Sequence, residues 1–538
     1  MADMESMGHV SGVWRRRRRE GLAAAPDAEH VRDAAVESGG LGGAATRGVL
    51  WMTVQKWITR LGGLATVALL TRVLDPADFG TVSAAMSVLP MVYLLSDVGL
   101  STYVVQVDAP SERALRTAFW FSLGMGVILF AALYLCAPLF AAAFGIPGVT
   151  TALRWMAPAI LMVSLSSVSI ALLRRRLMFR ELAQQTAVAS LAAQVVAVVL
   201  ALNGAGVGAL VGQLLVSMGV GSVLAIVRAR WWPRWGFSLI DLRVMAGFGS
   251  QVVVVELVAV ARAWGETAII ASVLGATGLG YLSIAKKLIE TVQDLSASAI
   301  FPVATVVFAK TREDVEHLRS AYHRALSACY TTVSLPLGLV VAAGPLIVPV
   351  LFGGGWGTSA GVAQVLALAA VFTMGATLDH GLFYGVGKPG NWLWYSVVID
   401  GLTLAVTALT VRWGLLGVAC GFALVAFGAT VLRWFLVARL LETRATNIAT
   451  PLVRAAPIMI GSTAVGLLVV VLTSGFDDLL RLVLVGVAMS LVQVVLAILV
   501  EPAVAVDLLR GLRVGRIAPG LVARVEARLP ATAAASEG

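Results

Sequence analysis

Residues Thr66 to Leu100 read TVALLTRVLDPADFGTVSAAMSVLPMVYLLSDVGL. An apolar segment carries Arg72, breaks at Asp75-Pro76-Ala77-Asp78, and resumes behind Phe79-Gly80 with Asp97 deep inside it. The same shape returns as ETAIIASVLGATGLGYLSIAKKLIETVQDLSASAI, Glu266 to Ile300. At an ungapped offset of 200, Ala68/Ala268, Val73/Val273, Leu74/Leu274, Gly80/Gly280, Ser83/Ser283, Ala85/Ala285, Leu95/Leu295 and Ser96/Ser296 are identical. Small apolar residues make part of that match compositional. The turn glycine and its flanking register carry more information, and they mark an internal repeat.

Composition says what solvent the repeat lives in. The 538 residues are 59% hydrophobic and 13% charged, whereas soluble domains run near half apolar and about a quarter charged. Apolar runs long enough to cross a bilayer recur from Gly48 to Val500. The formal charge of +10 does not imply a nucleic-acid partner, because the basic residues gather in loops on one side. Cys136, Cys329 and Cys420 all fall inside predicted spans without metal-ligand spacing. No GxxxxGK[ST], HExxH or CxxC occurs. The sequence therefore predicts no metal, no cofactor and no enzyme site.

The pattern predicts an all-α polytopic membrane protein of about fourteen transmembrane helices. Spans one, two, seven and eight fall near 48–74, 79–105, 246–274 and 278–306. Arg113/Arg116, Arg174/Arg175/Arg176/Arg180, Arg228/Arg230/Arg234/Arg243, Lys310/Arg312/Arg319/Arg324 and Arg439/Arg444/Arg454 follow spans two, four, six, eight and twelve. Loops after odd spans carry almost no Lys or Arg, with Arg412 and Arg481 at span ends as the exceptions, and Asp75, Asp78, Asp477 and Asp478 lie there instead. The positive-inside rule then places both termini in the cytoplasm. Six spans separate the two copies of the hairpin, so the halves are parallel repeats. A second match supports this: Ala137-Pro138-Leu139 to Phe144-Gly145 resembles Gly344-Pro345-Leu346 to Phe352-Gly353. The expected organisation is a disordered basic cytoplasmic tail (1–45), an N-lobe of six helices (46–228), a C-lobe of six (246–438), two further helices (455–500) and a basic cytoplasmic tail (501–538).

Ionisable groups inside lipid mark pathways, because they are costly there. They concentrate on spans one (Lys56, Arg60, Arg72), two (Asp97), seven (Glu256, Arg262, Glu266) and eight (Lys286, Lys287, Glu290, Asp294), with Asp379, His380 and Asp400 on ten and eleven. Spans one, two, seven and eight are thus expected to line a polar cavity between the lobes. Arg60, Arg262, Lys286 and Lys287 are the candidate anion-binding residues, since a planar guanidinium suits phosphate. Asp97, Glu256, Glu266, Glu290 and Asp294 are the candidates for ion coupling or gating. Structural readings stand beside these. Arg72 is expected to tether to Asp75 and Asp78. Asp97 could instead hold its helix through Lys56 or Arg60. Lys286, Glu290 and Asp294, spaced i, i+4, i+8, could form a salt-bridge ladder.

TRVLDPADFG followed by LLSDVGLSTYVVQ resembles the signature of the polysaccharide-export branch of the multidrug/oligosaccharidyl-lipid/polysaccharide (MOP) transporter superfamily. LLRRRLMFRELA (Leu172 to Ala183), VGALVGQLL (Val207 to Leu215), IIASVLGATGLGYLSIAKKL (Ile269 to Leu288) and LIVPVLFGGGWGTSAGVAQVLAL (Leu346 to Leu368) resemble Wzx-type flippases and colanic-acid-exporter-like proteins. The resemblance implies a V-shaped, MATE-like pair of lobes with alternating access. It also implies an undecaprenyl-pyrophosphate-linked glycan as cargo, ion-gradient coupling, the bacterial cytoplasmic membrane, and polymerase and glycosyltransferase partners. One departure is Glu266 where the family commonly has Asp, with Ala271-Ser272 in place of Gly-Arg. The competing reading is a multidrug or organic-cation antiporter of the same superfamily. That reading calls for an acidic aromatic cavity, which the basic character of spans one and eight opposes.

Overall fold

A computed structural model describes residues 56–502 together with 504 and 506, apart from 108–109, 298–303, 305–306, 309–310 and 312–313; for 248–255, 297 and 389 it describes the backbone alone. Most of the two expected tails, with Lys310 and Arg312, lies outside these residues.

The described chain is helical throughout. The first helix, α1, covers 56–70 and ends in a turn at 71–74. Asp75 is extended and Pro76 opens α2, Pro76–Asp97, as expected for a ring whose missing N–H costs nothing in a first helical turn. The remaining helices are α3 (Leu100–Gln106), α4 (Glu112–Phe144), α5 (Gly148–Met156), α6 (Pro158–Arg175), α7 (Phe179–Leu202), α8 (Val207–Ala229), α9 (Leu239–Ala297), α10 (Val315–Phe352), α11 (Thr358–Gly385), α12 (Pro389–Thr410), α13 (Gly414–Leu440), α14 (Ala445–Leu472) and α15 (Asp478–Val500). Side chains start several of them. Ser111 accepts from the Ala114 amide, Asp314 from the Glu316 and His317 amides, and Asp477 from the Leu479 amide.

Among the described residues eleven stretches are long and apolar enough to cross a membrane, and the chain is a multi-pass membrane protein. Two of the eleven, at 41 and 51 residues, are long enough to cross twice, and each is interrupted near its middle. Glu256–Ser296 breaks at Gly275, whose φ of 66° and ψ of −173° only glycine adopts freely. Gly390–Leu440 passes through a 3-10 turn at Val411–Trp413. The outermost helices are apolar on faces that look outward: Leu479, Leu491 and Val495 of α15 are exposed, as a lipid-facing surface requires.

Two boundaries differ from the sequence reading. The second span, expected to run unbroken over 79–105, divides after Asp97, because Val98 and Gly99 are both left-handed. The helix that holds the seventh starts ahead of 246, at Leu239, before its apolar stretch begins. In α10 the helix kinks at Ala343, two residues before Pro345. A proline at that point supplies no amide to the carbonyl four residues back. Gln364 Nε2 of α11 donates to that carbonyl, Val341 O, at 2.7 Å.

Helices α2, α4, α5, α6 and α8 pack among themselves, as do α9 to α13, and α14 and α15 pack on α10. The main junction between the first two groups is α2 against α9. Its closest point is a pair of glycines. A Cβ on Gly80 would lie 1.7 Å from Ala276 O, and one on Gly280 would lie 1.8 Å from Pro76 O. The two residues equated by the 200-residue offset thus meet backbone to backbone. Beside them Trp356 is buried, donates from Nε1 to Thr71 O at 2.9 Å, and meets the rings of Phe79 and Tyr281 edge-on. Arg72 does not pair with Asp75 or Asp78. The chain leaves the helix at residue 71, and Arg72 Nη2 instead donates to Val350 O.

Candidate functional site

Counting at 1.5 Å per residue from the ends that meet at Gly80 and Gly280, Arg262, Glu266, Lys286, Asp400 and Phe422 all fall about 12–20 Å along their helices. They come from α9 on both sides of its break, α12 and α13, and they form one cluster. Arg262 Nη1 donates to Glu266 Oε2 at 2.8 Å, the i,i+4 partner one helical turn on. Glu266 Oε1 accepts from Lys286 Nζ at 2.5 Å. Lys286 Nζ also stands 4.8 Å from the Phe422 ring centre, in cation–π contact. Arg262 Nε stands 2.8 Å from Asp400 Oδ1, but its N–H makes no hydrogen bond. The two are close in space and misaligned, so the contact is ionic and undirected.

The cluster holds two cations and two carboxylates. Glu266 is its buried centre, with a side chain 8% exposed, against 29% for Arg262 and 37% for Lys286. Charges this far from water persist only when paired. Glu266 pairs with both cations at once.

Arg60 of α1 forms an ion pair with Asp294 of α9, farther toward the arginine-rich end. The expected ladder of Lys286, Glu290 and Asp294 does not form. Lys286 turns to Glu266, on the other side of the Gly275 break, and Asp294 turns to Arg60 of α1. Glu290 is exposed and, like Lys287, makes no ion pair among the described residues. Glu256 is exposed too.

Asp97 is occupied elsewhere. Its Oδ2 accepts from the Ser101 amide at 3.1 Å and from Ser101 Oγ at 2.5 Å, and its Oδ1 accepts from Ser167 Oγ of α6 at 2.5 Å. It pairs with neither Lys56 nor Arg60. The left-handed turn at Val98-Gly99 folds the next helix back over the carboxylate, which caps it.

Two features escaped the sequence reading. Asp400 stood out only as a lone charge in span eleven. Asp379, beside exposed His380, is buried with Arg433. Arg433 Nη1 donates to Asp379 Oδ2 at 2.8 Å, and Tyr322 Oη donates to Asp379 Oδ1 at 2.6 Å. Arg433 Nη2 also donates to Phe372 O and Thr430 Oγ1. A lone carboxylate in an apolar span, with a lone arginine two spans later, was the available signal. Outside the spans, the Arg113 side chain bonds Asp241 at 2.7 Å and holds its carboxyl below the usual carboxylate value. The His317 backbone amide does the same for Asp314. Among the described residues no group of acids, histidines or cysteines could hold a metal ion.

The chain is similar to several known proteins. The succinoglycan biosynthesis transport protein ExoT of Rhizobium meliloti (strain 1021) is 28% identical over 356 residues, 66% of this chain and 72% of that one. The lipopolysaccharide biosynthesis protein WzxC of Escherichia coli (strain K12) is 24% identical over 408 residues, 72% of this chain and 80% of that one. Among solved structures, lipid II flippase MurJ in an inward closed conformation matches with a TM-score of 0.69 at 14% identity, over 83% of this chain and 98% of its own. An inward-facing multidrug resistance MATE family transporter of the MOP superfamily matches with a TM-score of 0.58 at 16% identity, over 72% of this chain and 96% of its own. These two likenesses give the fold. The family model described as "polysaccharide biosynthesis protein" matches residues 69–361, more than half of the sequence, and the chain belongs to that family.

Proposed function

We propose that this protein is a flippase that moves a lipid-linked oligosaccharide or exopolysaccharide precursor across the bacterial cytoplasmic membrane by alternating access, driven by an ion gradient. The observation that carries the reading is the partly exposed Arg262–Glu266–Lys286–Asp400 cluster at mid-helix depth. Fixed cations at that depth suit a phosphate-bearing head group dragged through hydrocarbon. The names of the relatives and the MurJ-like fold point the same way.

The finer architecture belongs to this proposal. Dividing the eleven apolar stretches at Gly275 and at Val411–Trp413, and adding α1, gives the expected fourteen spans. The Gly80–Gly280 contact supports parallel six-helix repeats related by an axis through that point. The arginine-rich end then faces the cytoplasm, with both termini. In this arrangement the glycine pair seals the outer side. Arg60 and Asp294 tie α1 to α9 toward the inner side. An undecaprenyl-pyrophosphate-linked glycan is the substrate class this site fits, with the polymerase and glycosyltransferases of the same glycan as working partners.

The test is transport of a fluorescent lipid-linked glycan in proteoliposomes. Arg262→Ala, which removes a guanidinium suited to phosphate, and Arg60→Ala, which unties α1 from α9, should each lower the flipping rate at least about tenfold. Wild-type rates in both variants at normal incorporation would sink the reading.

A further inference from the structure

Arg262 is held by two carboxylates that differ in how firmly they are bound. Glu266 lies on the same helix, is buried, and has both oxygens hydrogen-bonded, one to Arg262 and one to Lys286. Removing it would leave two cations facing each other. Asp400 comes from α12, is more exposed at 21%, and touches Arg262 through Oδ1 alone. The Arg262 Nε–H facing it is not aimed at it. Asp400 Oδ2 makes no hydrogen bond among the described residues.

We infer that Asp400 is a displaceable counter-ion, which a phosphate group of the substrate replaces at Arg262 and which returns when the substrate leaves. Resting on the flippase reading, this assigns Asp400 as a positioning residue that sets how tightly the site holds its anion. The cluster as it stands is neutral, so an incoming diphosphate gains full attraction only if one acid withdraws. Geometry selects which one. Glu266 cannot move without breaking two charge-assisted hydrogen bonds. Asp400 breaks none, and partial exposure gives its carboxylate somewhere to go. A site built this way keeps Arg262 compensated while empty and still releases its cargo, because the counter-ion competes for the same guanidinium. Glu266 meanwhile keeps Arg262 and Lys286 oriented together through both states.

The experiment compares wild type, Asp400→Asn, Asp400→Glu and Glu266→Gln, each as the full chain in detergent. Inorganic pyrophosphate is the probe, titrated by calorimetry. Asp400→Asn should bind pyrophosphate about tenfold more tightly, since a competing charge is gone. Asp400→Glu should return to within about threefold of wild type, and Glu266→Gln should bind more weakly. Reconstituted, Asp400→Asn should show both a lower KM and a lower kcat for lipid-linked glycan. A residue that merely holds α12 in place predicts the reverse: weaker binding, lower melting temperature and a raised KM. Unchanged or weaker pyrophosphate binding by Asp400→Asn, or no binding by any variant, overturns the inference. Should Asp400→Asn fail to fold, Asp400→Ser removes the same charge and is judged by the same criteria. Absence of glycan flipping by wild type would refute the flippase reading instead, and the pyrophosphate comparison would still decide the role of Asp400.

Discussion

Gly80→Ala adds one methyl group where α2 crosses α9. The new Cβ would lie 1.7 Å from Ala276 O, 2.6 Å from Ala276 C and 2.9 Å from Gly280 N. All three obstacles are backbone atoms, so no side-chain rotation relieves the clash. Carbon and carbonyl oxygen come no closer than about 3.3 Å even in their favourable contacts. The helices must therefore part by about 1.6 Å at this crossing. Overpacking of this kind costs about 1–3 kcal/mol. If that cost falls on the sealed arrangement alone, its population relative to the open one drops about 5- to 150-fold. Spin labels on Asn203→Cys and Arg412→Cys, with the three native cysteines replaced by alanine, would report the distance across this end. Both positions are exposed in turns at that end. Gly80→Ala should shift the distance distribution to longer values. Gly80→Ala/Gly280→Ala should shift it little further, because the first methyl already separates the helices. An unchanged distribution in both would refute the claim that this backbone contact seals the molecule.

Two other expectations concern stability. Arg433→Met should cost about 3–5 kcal/mol, because it strands Asp379 without its partner, whereas Arg433→Met/Asp379→Leu should recover most of that loss; thermal melts in detergent distinguish the two. Asp241, held below its ordinary value by Arg113, stabilises the folded state above the unfolded carboxylate pKa and stops doing so as pH falls through its lowered folded value. The melting difference between wild type and Asp241→Asn should therefore be present near neutral pH and shrink below about pH 4.

The hairpins were legible because their signals are local. A proline after an acidic turn, a glycine at a fixed offset and an apolar run each declare themselves within a few residues. Partnership was not legible. Arg72 has two acids within six residues, yet it bonds a carbonyl 278 residues away. Asp97 looked available for Arg60, but the left-handed Val98-Gly99 pair gave it the amide of Ser101. Periodicity places Lys286 and Asp294 on one helix face without saying which neighbouring helix covers each of them. The Arg433–Asp379 pair joins helices 54 positions apart, where no spacing rule operates. The acids that control Arg262 divide along the same line. Glu266 sits at i+4 and could be named from sequence, whereas Asp400 required the packing of α12.

Trp356 carries a consequence for how the chain is made. Its indole closes on Thr71 O, a carbonyl 285 residues earlier. At synthesis rates of about 5–20 residues per second, roughly 15 to 60 s separate the two. During that interval the first hairpin is already in the membrane with its turn carbonyl unclaimed, and water must serve it. The turn of the first hairpin, written early in the sequence, is thus among the last parts of the fold to become dry.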